Sequence, residues 1–152
     1  MFYFAFCWFK VVKRNSEFKD NITFYKSAIA SNPNDQSLYF NLALSYQDIE
    51  DDENAAIQYQ KAVKIDPADY KSLNNLGTIY LKKNELQKAE ESYLNSITVN
   101  PGQYNVYYNL ANVYISQKNS NKAINLLEKI LKLKPDFLQA KLKLEELLKS
   151  EH

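Results

Sequence analysis

Four prolines divide this chain at one fixed interval, at Pro33, Pro67, Pro101 and Pro135. Each lies 34 residues after the one before, and the sequence contains no other proline. Proline ends a helix because its ring removes an N–H donor and clashes with the preceding turn. A period of roughly 20 to 50 residues is typical of chains built from stacked structural repeats. The interval therefore predicts three full units, 36–69, 70–103 and 104–137.

The first half of each unit has the pattern of an amphipathic helix. In the first unit Tyr39, Leu42, Ala43 and Tyr46 have the i, i+3, i+4, i+7 spacing that places side chains on one helix face. The other two units hold Leu73, Leu76, Gly77 and Tyr80, and Tyr107, Leu110, Ala111 and Tyr114. The second halves contain Ala55, Tyr59 and Ala62, then Ala89, Tyr93 and Ser96, then Ala123, Leu127 and Ile130. Each unit is therefore predicted to form two helices.

A small residue occupies one fixed place in each half-unit. Two helices approach closely only where a side chain is small enough to admit the other backbone. The expected contacts are Ala43 with Ala55, Gly77 with Ala89, and Ala111 with Ala123. Polar residues that favour turns follow the first helices at Asp51, Asn84 and Asn119, and we expect them to end those helices.

These residues resemble the tetratricopeptide repeat, a 34-residue unit with a large apolar residue, Leu, Gly or Ala, and Tyr, then Ala, an aromatic, Ala and Pro. The similarity covers residues 36–137, with departures at Ser96, Leu127 and Ile130. The resemblance implies an all-α fold, namely a right-handed α-solenoid, or α-α superhelix, of helix-turn-helix repeats.

The two ends of the chain fit the repeat less well. Residues 1–35 are interpreted as a divergent or partial N-terminal repeat with an apolar opening helix, and 138–152 as a C-terminal capping helix. The uncharged opening precedes Lys10, Lys13 and Arg14 and is shorter than the roughly 20 apolar residues of a spanning helix. Three interpretations stay open for 1–14: a helix packed on the first repeat, the end of a truncated or misassigned membrane anchor, or an interfacial helix.

Composition argues against several classes of function. The net charge of +1 gives no long-range attraction to nucleic acid. Cys7 is the only cysteine, and the only histidine is the last residue, His152, which disfavours zinc sites and histidine-based catalysis. With only Gly77 and Gly102, the chain has no phosphate-binding glycine loop. We therefore predict a cytoplasmic, non-enzymatic protein without cofactor or metal, whose contact with membranes, if any, is through residues 1–14.

The resemblance implies that the first helix of each repeat lines a concave groove for an extended peptide. The candidate peptide-binding residues are Phe40, Asn41, Leu44, Lys71, Asn74, Asn75, Thr78, Lys82, Asn105, Tyr108, Asn109 and Asn112. Asn41, Asn75 and Asn109 occupy the same place in successive units and are expected to form a row of side-chain amides. An amide donates and accepts hydrogen bonds at once, which suits a peptide backbone. The alternative is that Asn is simply common at this position of the family.

A second binding mode of the family, the carboxylate clamp for chaperone C-termini, is not expected. Phe40 and Leu44 replace the first pair of clamp residues, and Asn105 and Asn109 replace the last pair, which leaves only Asn75 in place. The resemblance implies a non-catalytic adaptor or scaffold for a protein or peptide partner, with self-association as a further option. The alternative functions are a substrate-presenting module of a glycosyltransferase-like enzyme and a self-associating or membrane-tethered assembly factor.

Overall fold

The computed structural model describes residues 20–150, and in that range every regular element is an α-helix. The interpretations of segment 1–14 and of His152 concern residues outside the described range. The helices are α1 over 20–31, α2 Gln36–Gln47, α3 Asp52–Ile65, α4 Tyr70–Lys82, α5 Leu86–Val99, α6 Tyr104–Ser116, α7 Ser120–Leu133 and α8 Leu138–Ser150. Each proline lies in a turn between two helices. No helix within 20–150 is both long and apolar enough to cross a membrane.

The helices belong to two compact units, one ending at Pro67 and the other beginning at Ala68. In the first unit α2 packs on α3, and both Ala43 and Ala55 are fully buried, as close approach of two helices requires. Tyr59 is also fully buried, and its hydroxyl donates to Gln47 Oε1 at 2.6 Å. The unit therefore buries a large aromatic side chain without leaving its hydroxyl unsatisfied.

In the second unit the helices pack in chain order, α4 on α5, α5 on α6, α6 on α7 and α7 on α8. One apolar cluster extends from Tyr93 on α5 to Leu147 on α8. Ser96, which departs from the repeat pattern, is fully buried, and its hydroxyl donates to the Tyr70 carbonyl oxygen at 2.9 Å. The serine thereby ties α5 to the first residue of α4, a role that the repeat pattern does not predict.

Gly77 packs against the ring of Tyr93. A Cβ atom added at Gly77 would lie 2.7 Å from Tyr93 Cε1 and 2.8 Å from Cδ1, well inside the ordinary carbon–carbon contact of about 3.5 to 4.0 Å. The expected partner was Ala89, which is buried as well. The nearest group to Gly77 is the Tyr93 ring, and a contact of Gly77 with Ala89 stays a prediction.

The turn inside each helix pair contains one residue with a left-handed backbone. These residues are Glu50 (φ 61°), Asn84 (φ 59°) and Lys118 (φ 58°). The N–H of the following residue donates to a carbonyl five residues back: Asp51 to Tyr46, Glu85 to Tyr80 and Asn119 to Tyr114, at 2.8 to 2.9 Å. This arrangement satisfies carbonyl groups at the end of the first helix, as in a Schellman motif.

As predicted, Asp51, Asn84 and Asn119 all lie in the turn where the first helix of their pair ends. Asp51 and Asn119 also begin the next helix. Asp51 Oδ1 accepts a hydrogen bond from the Asn54 N–H at 3.1 Å, and Asn119 Oδ1 accepts one from the Lys122 N–H at 3.2 Å. Both are N-caps, because their side chains satisfy N–H groups that the helix itself leaves without a partner.

Candidate peptide-binding surface

Aspartate caps fix where two of the helices carrying candidate residues begin. Asp35 caps α2 by accepting from the Ser37 N–H at 2.9 Å and from its hydroxyl at 2.6 Å. The Ser37 hydroxyl is the largest reason why the pKa of the Asp35 carboxyl lies below its usual value. Asp69 caps α4 by accepting from the Ser72 N–H at 3.2 Å and from the Ser72 hydroxyl. The caps set the register of the candidate side chains.

Three candidate residues lie on α2 in the first unit. Phe40 is half-buried, with its ring centroid 5.7 Å from that of Tyr59, so part of its surface belongs to the core. Asn41 is half-buried and Leu44 is exposed. The side chains of Asn41 and Leu44 therefore reach the surface of this unit. That Asn41 continues a row of amides formed by Asn75 and Asn109 stays a prediction.

In the second unit a hydrogen bond joins two candidate asparagines on different helices. Asn109 Nδ2 on α6 donates to Asn74 Oδ1 on α4 at 3.5 Å, and both side chains are half-buried. The bond joins Asn109 to Asn74, whereas the row through Asn75 and Asn109 stays a prediction. We call Asn74, Asn75, Asn109 and Asn112 the amide surface. Asn75 and Asn112 are half-buried too.

Thr78 connects the amide surface to the buried Tyr93. Its hydroxyl donates to the Asn74 backbone carbonyl at 3.1 Å and lies 3.0 Å from the Tyr93 hydroxyl. Burial raises the pKa of Tyr93 to about 12, against a smaller lowering by Thr78. Because the Thr78 hydroxyl donates its single proton to the Asn74 carbonyl, the neutral Tyr93 hydroxyl is the donor to Thr78. Thr78 is therefore a structural residue more than a ligand contact.

The remaining polar candidates of the second unit are more open to solvent. Lys71, Lys82 and Asn105 are all exposed. The candidate residues on α4 and α6 include these two lysines and no acidic residue. The surface is therefore neutral to positive, and its exposed charges favour a neutral or acidic ligand over a basic one.

An aromatic pair lies at the α8 side of the candidate residues. Tyr108 on α6 and Phe137, just before α8, have ring centroids 5.4 Å apart at 82°, an edge-to-face arrangement. Tyr104 contacts the same Phe137 ring at 5.2 Å and 65°. Tyr108 and Phe137 are half-buried and pack on the core. We call Tyr108 and Phe137 the aromatic pair.

Phe137 was missed because it lies in the turn before α8, and Lys143 because segment 138–152 was interpreted only as a cap. Lys143 Nζ bonds Glu146 Oε2 at 2.7 Å, and that bond is the main reason why the pKa of Lys143 is raised, with a smaller contribution from the nearby Tyr108. The repeat period could have identified Lys143. This residue lies 34 residues after Asn109 and so has the same place in its unit as a candidate residue.

A polar network holds α5, α6 and α7 together. Glu90 on α5 accepts from Gln117 Nε2 at 2.8 Å and lies 3.7 Å from Lys122 Nζ. Burial, followed by a hydrogen bond with Glu90, raises the pKa of Tyr114 to about 12. Lys122 Nζ also lies 4.8 Å from the centroid of the Tyr114 ring, within cation–π range. The network fixes α6, which carries four of the candidate residues.

Helix pairs of one repeated length, closed by a Schellman turn and separated by proline, define a class of protein: a solenoid of helical hairpins. Models of the tetratricopeptide repeat match residues 36–69, 59–91 and 104–137, which together make up more than half of the chain. The chain belongs to the tetratricopeptide repeat family. No curated protein sequence matches it.

Solved structures confirm the predicted all-α solenoid of helical repeats. A crystal structure of MamA is 26% identical, with a TM-score of 0.85 over 91% of this chain and 81% of MamA. YrrB, described as a TPR protein with an unusual peptide-binding site, is 22% identical, with a TM-score of 0.75 over 88% of this chain and 68% of YrrB. The first TPR of Spaghetti (RPAP3), bound to the HSP90 peptide SRMEEVD, is 16% identical, with a TM-score of 0.72 over 76% of this chain and 91% of that one.

Proposed function

We propose that this chain is a non-catalytic adaptor that binds an extended segment of a partner protein on the amide surface. The observation that carries the proposal is the hydrogen bond between Asn109 and Asn74, which places two half-buried amides from α6 and α4 side by side. Each amide has two N–H donors and an oxygen acceptor. Their mutual bond uses one donor and one acceptor, so the pair retains both kinds of group for a ligand.

An extended peptide is the ligand that these groups fit best. Its backbone presents N–H and C=O groups along its whole length, and each must be satisfied when a groove excludes water. Side-chain amides meet this need irrespective of the peptide's sequence. Their positions are fixed in advance by α4 and α6, which reduces the entropy lost on binding.

Two neighbours in fold support a peptide ligand. YrrB is described as having a peptide-binding site, and the first TPR of Spaghetti is described as bound to an HSP90 peptide. Tetratricopeptide solenoids in general present extended surfaces for partner binding. The same use of the fold is proposed here, with amides in place of the charged clamp residues that this chain lacks.

Selection of peptides from a random library, followed by affinity measurement, tests the proposal. For a selected peptide, the double variant Asn74→Ala, Asn109→Ala should raise the Kd by about 10- to 30-fold, because two net hydrogen bonds of about 1 kcal/mol are lost. The matched control is Asn95→Ala, Asn125→Ala, which removes two exposed amides from α5 and α7. Equal affinity of the double variant and the control would refute the assignment of the surface.

The predicted row needs its own variant. Asn41→Ala, Asn75→Ala, Asn109→Ala removes one amide from each of the three repeats. If the row extends along the array, long peptides should lose more affinity than short ones, because only long peptides reach all three amides. A loss that is independent of peptide length would restrict the binding surface to the second unit.

Self-association is a second candidate function, because the end of α7 and helix α8 expose large apolar side chains. Leu133, Leu138 and Leu142 are 55%, 61% and 56% exposed. Segment 36–69 has seven acidic residues and two lysines, whereas 104–137 has five lysines and two acidic residues. Opposite charges favour contact between these segments in two copies. Sedimentation velocity should then show dimers that dissociate in high salt; a monomer at every concentration would contradict this candidate.

A further inference from the structure

We infer that the second unit also selects side chains of its ligand: the aromatic pair and Lys143 bind a peptide segment in which an apolar residue stands next to an acidic one. This inference rests on the proposed function, because it assigns a sequence preference to the same peptide. It concerns residues outside the amide surface, namely Tyr108 on α6, Phe137 between α7 and α8, and Lys143 on α8.

The aromatic pair supplies an apolar contact that is already in place. The two rings meet edge to face with their centroids 5.4 Å apart, and the Tyr104 ring also contacts Phe137 at 5.2 Å. Both rings of the pair pack on the core while keeping part of their surface open. Aromatic rings held in this way provide large contact area and lose little conformational entropy on binding. A leucine or phenylalanine side chain of the ligand would cover that open surface.

Lys143 supplies a positive charge next to the aromatic contact. Its side chain is 31% exposed, and Lys143 has the same place in its unit as Asn109, which follows Tyr108 in the sequence one period earlier. A carboxylate adjacent to the bound apolar side chain is therefore attracted to this place, whereas a lysine or arginine of the ligand is repelled.

Glu146 is an internal competitor for the ligand's carboxylate. It bonds Lys143 at 2.7 Å across one turn of α8, but its side chain is 68% exposed. An exposed ion pair at i, i+3 spacing is weak, because water screens it and two flexible side chains must be ordered. A ligand carboxylate delivered together with an apolar contact can displace Glu146. Removal of the Glu146 charge should therefore strengthen binding.

The experiment uses the full chain and peptides selected from a random library. The selected peptides should be enriched in an apolar residue adjacent to Asp or Glu. Resynthesis with that acid changed to Asn or Gln, and with the apolar residue changed to Ala, gives matched probes. Each change should weaken binding to the wild-type chain by about fivefold to tenfold, the range that a single good contact contributes.

Charge variants of α8 then identify the residue that binds the acidic side chain of the peptide. Lys143→Gln should weaken binding of the acidic peptide to the level of its amide analogue, while leaving the analogue itself unchanged. Glu146→Gln should strengthen binding of the acidic peptide by about twofold to threefold, as expected for release of a weak ion pair. Lys141→Gln is the control, since it makes the same charge change at an exposed position on another face of α8.

The outcomes separate this inference from the proposed function. Peptides that need Asn74 and Asn109 but show no apolar–acidic preference would overturn the inference and leave the adaptor function standing. An equal effect of Lys143→Gln and Lys141→Gln would also overturn it, because net charge alone would then explain the preference. If no peptide binds at all, both proposals are wrong. Circular dichroism of each variant verifies that the helices are retained.

Discussion

Replacement of Gly77 by alanine should destabilise the protein, although alanine is the better helix former. In the interior of α4 the change gains about 1 kcal/mol of helix propensity. Against this, the new Cβ would lie 2.7 to 2.9 Å from three atoms of the Tyr93 ring. Forcing a methyl group into a packed core typically costs about 1 to 3 kcal/mol. The two effects oppose each other, so the freedom of the ring to move decides the result.

In the first unit, Ala43 has the place of Gly77 and Tyr59 has the place of Tyr93, so a tyrosine ring can pack beside an alanine there. Tyr93 cannot adopt the position of Tyr59. There Ala43 and Tyr59 are both fully buried, and the Tyr59 hydroxyl donates to Gln47. One period later, Gln47 is replaced by Leu81, which offers no acceptor. If Tyr93 moved to the equivalent position it would exchange its contact with Thr78 for an unsatisfied buried hydroxyl, at about 1 to 3 kcal/mol.

Both responses of the ring therefore cost at least as much as the helix gains, and we expect Gly77→Ala to lower the free energy of unfolding by up to about 2 kcal/mol. Urea unfolding followed by circular dichroism measures the change. Gly102→Ala is the control: its Cβ would meet nothing closer than Asn100 Oδ1 at 3.8 Å. In a Tyr93→Leu background, Gly77→Ala should become neutral or stabilising. A gain in stability in the wild-type background would refute the packing argument.

Three further predictions concern turns, caps and buried phenols. Lys118→Gly should raise the free energy of unfolding by about 1 kcal/mol in urea, because glycine adopts a φ of 58° without steric cost; a loss would contradict the turn geometry. Asp69→Ala should cost about 1 kcal/mol in thermal melts, while Asp69→Asn should keep most of the cap; equal losses would count against capping. Burial raises the pKa of Tyr93 and Tyr114 to about 12, above the ordinary 10.0. Their contribution to stability should be complete below about pH 10 and lost as the pH rises to about 12. Tyr93→Phe should reduce that loss, as measured by urea unfolding at several pH values, and an unchanged profile would contradict it.

The repeated helices could be predicted from the sequence because both of their signals are local and periodic. A proline at a fixed interval ends a helix wherever it occurs, and the i, i+3, i+4, i+7 pattern places one helix face inward without knowledge of the partner. Each of the three repeats independently predicts the same two helices. Predictions of this kind depend only on residues that are close together in the sequence.

The contacts that differ between repeats could not be predicted in this way. Tyr59 and Tyr93 hold the same place in the repeat, yet their hydroxyls go to Gln47 and Thr78, because Leu81 stands where the first unit has Gln47. The choice depends on which side chains surround the ring in three dimensions. A position-by-position comparison of repeats treats both tyrosines as equivalent.

The hydrogen bond between Asn109 and Asn74 could not be predicted from the repeat period. The period shows that Asn75 and Asn109 are equivalent, but not which side chain on the neighbouring helix Asn109 can reach. Of the aromatic pair, Tyr108 was among the predicted residues, whereas Phe137 was missed. Phe137 lies in a turn, where helix periodicity carries no information about the direction of a side chain.

The central claim is that a peptide binds on the amide surface of α4 and α6. NMR chemical-shift mapping with a library-selected peptide tests it most directly, because side-chain amide groups give separate resonances. The account predicts that the NH2 resonances of Asn74 and Asn109 shift with added peptide, while those of Asn95 and Asn125 on α5 and α7 stay in place. Shifts confined to Asn95 and Asn125, with Asn74 and Asn109 unmoved, would contradict it.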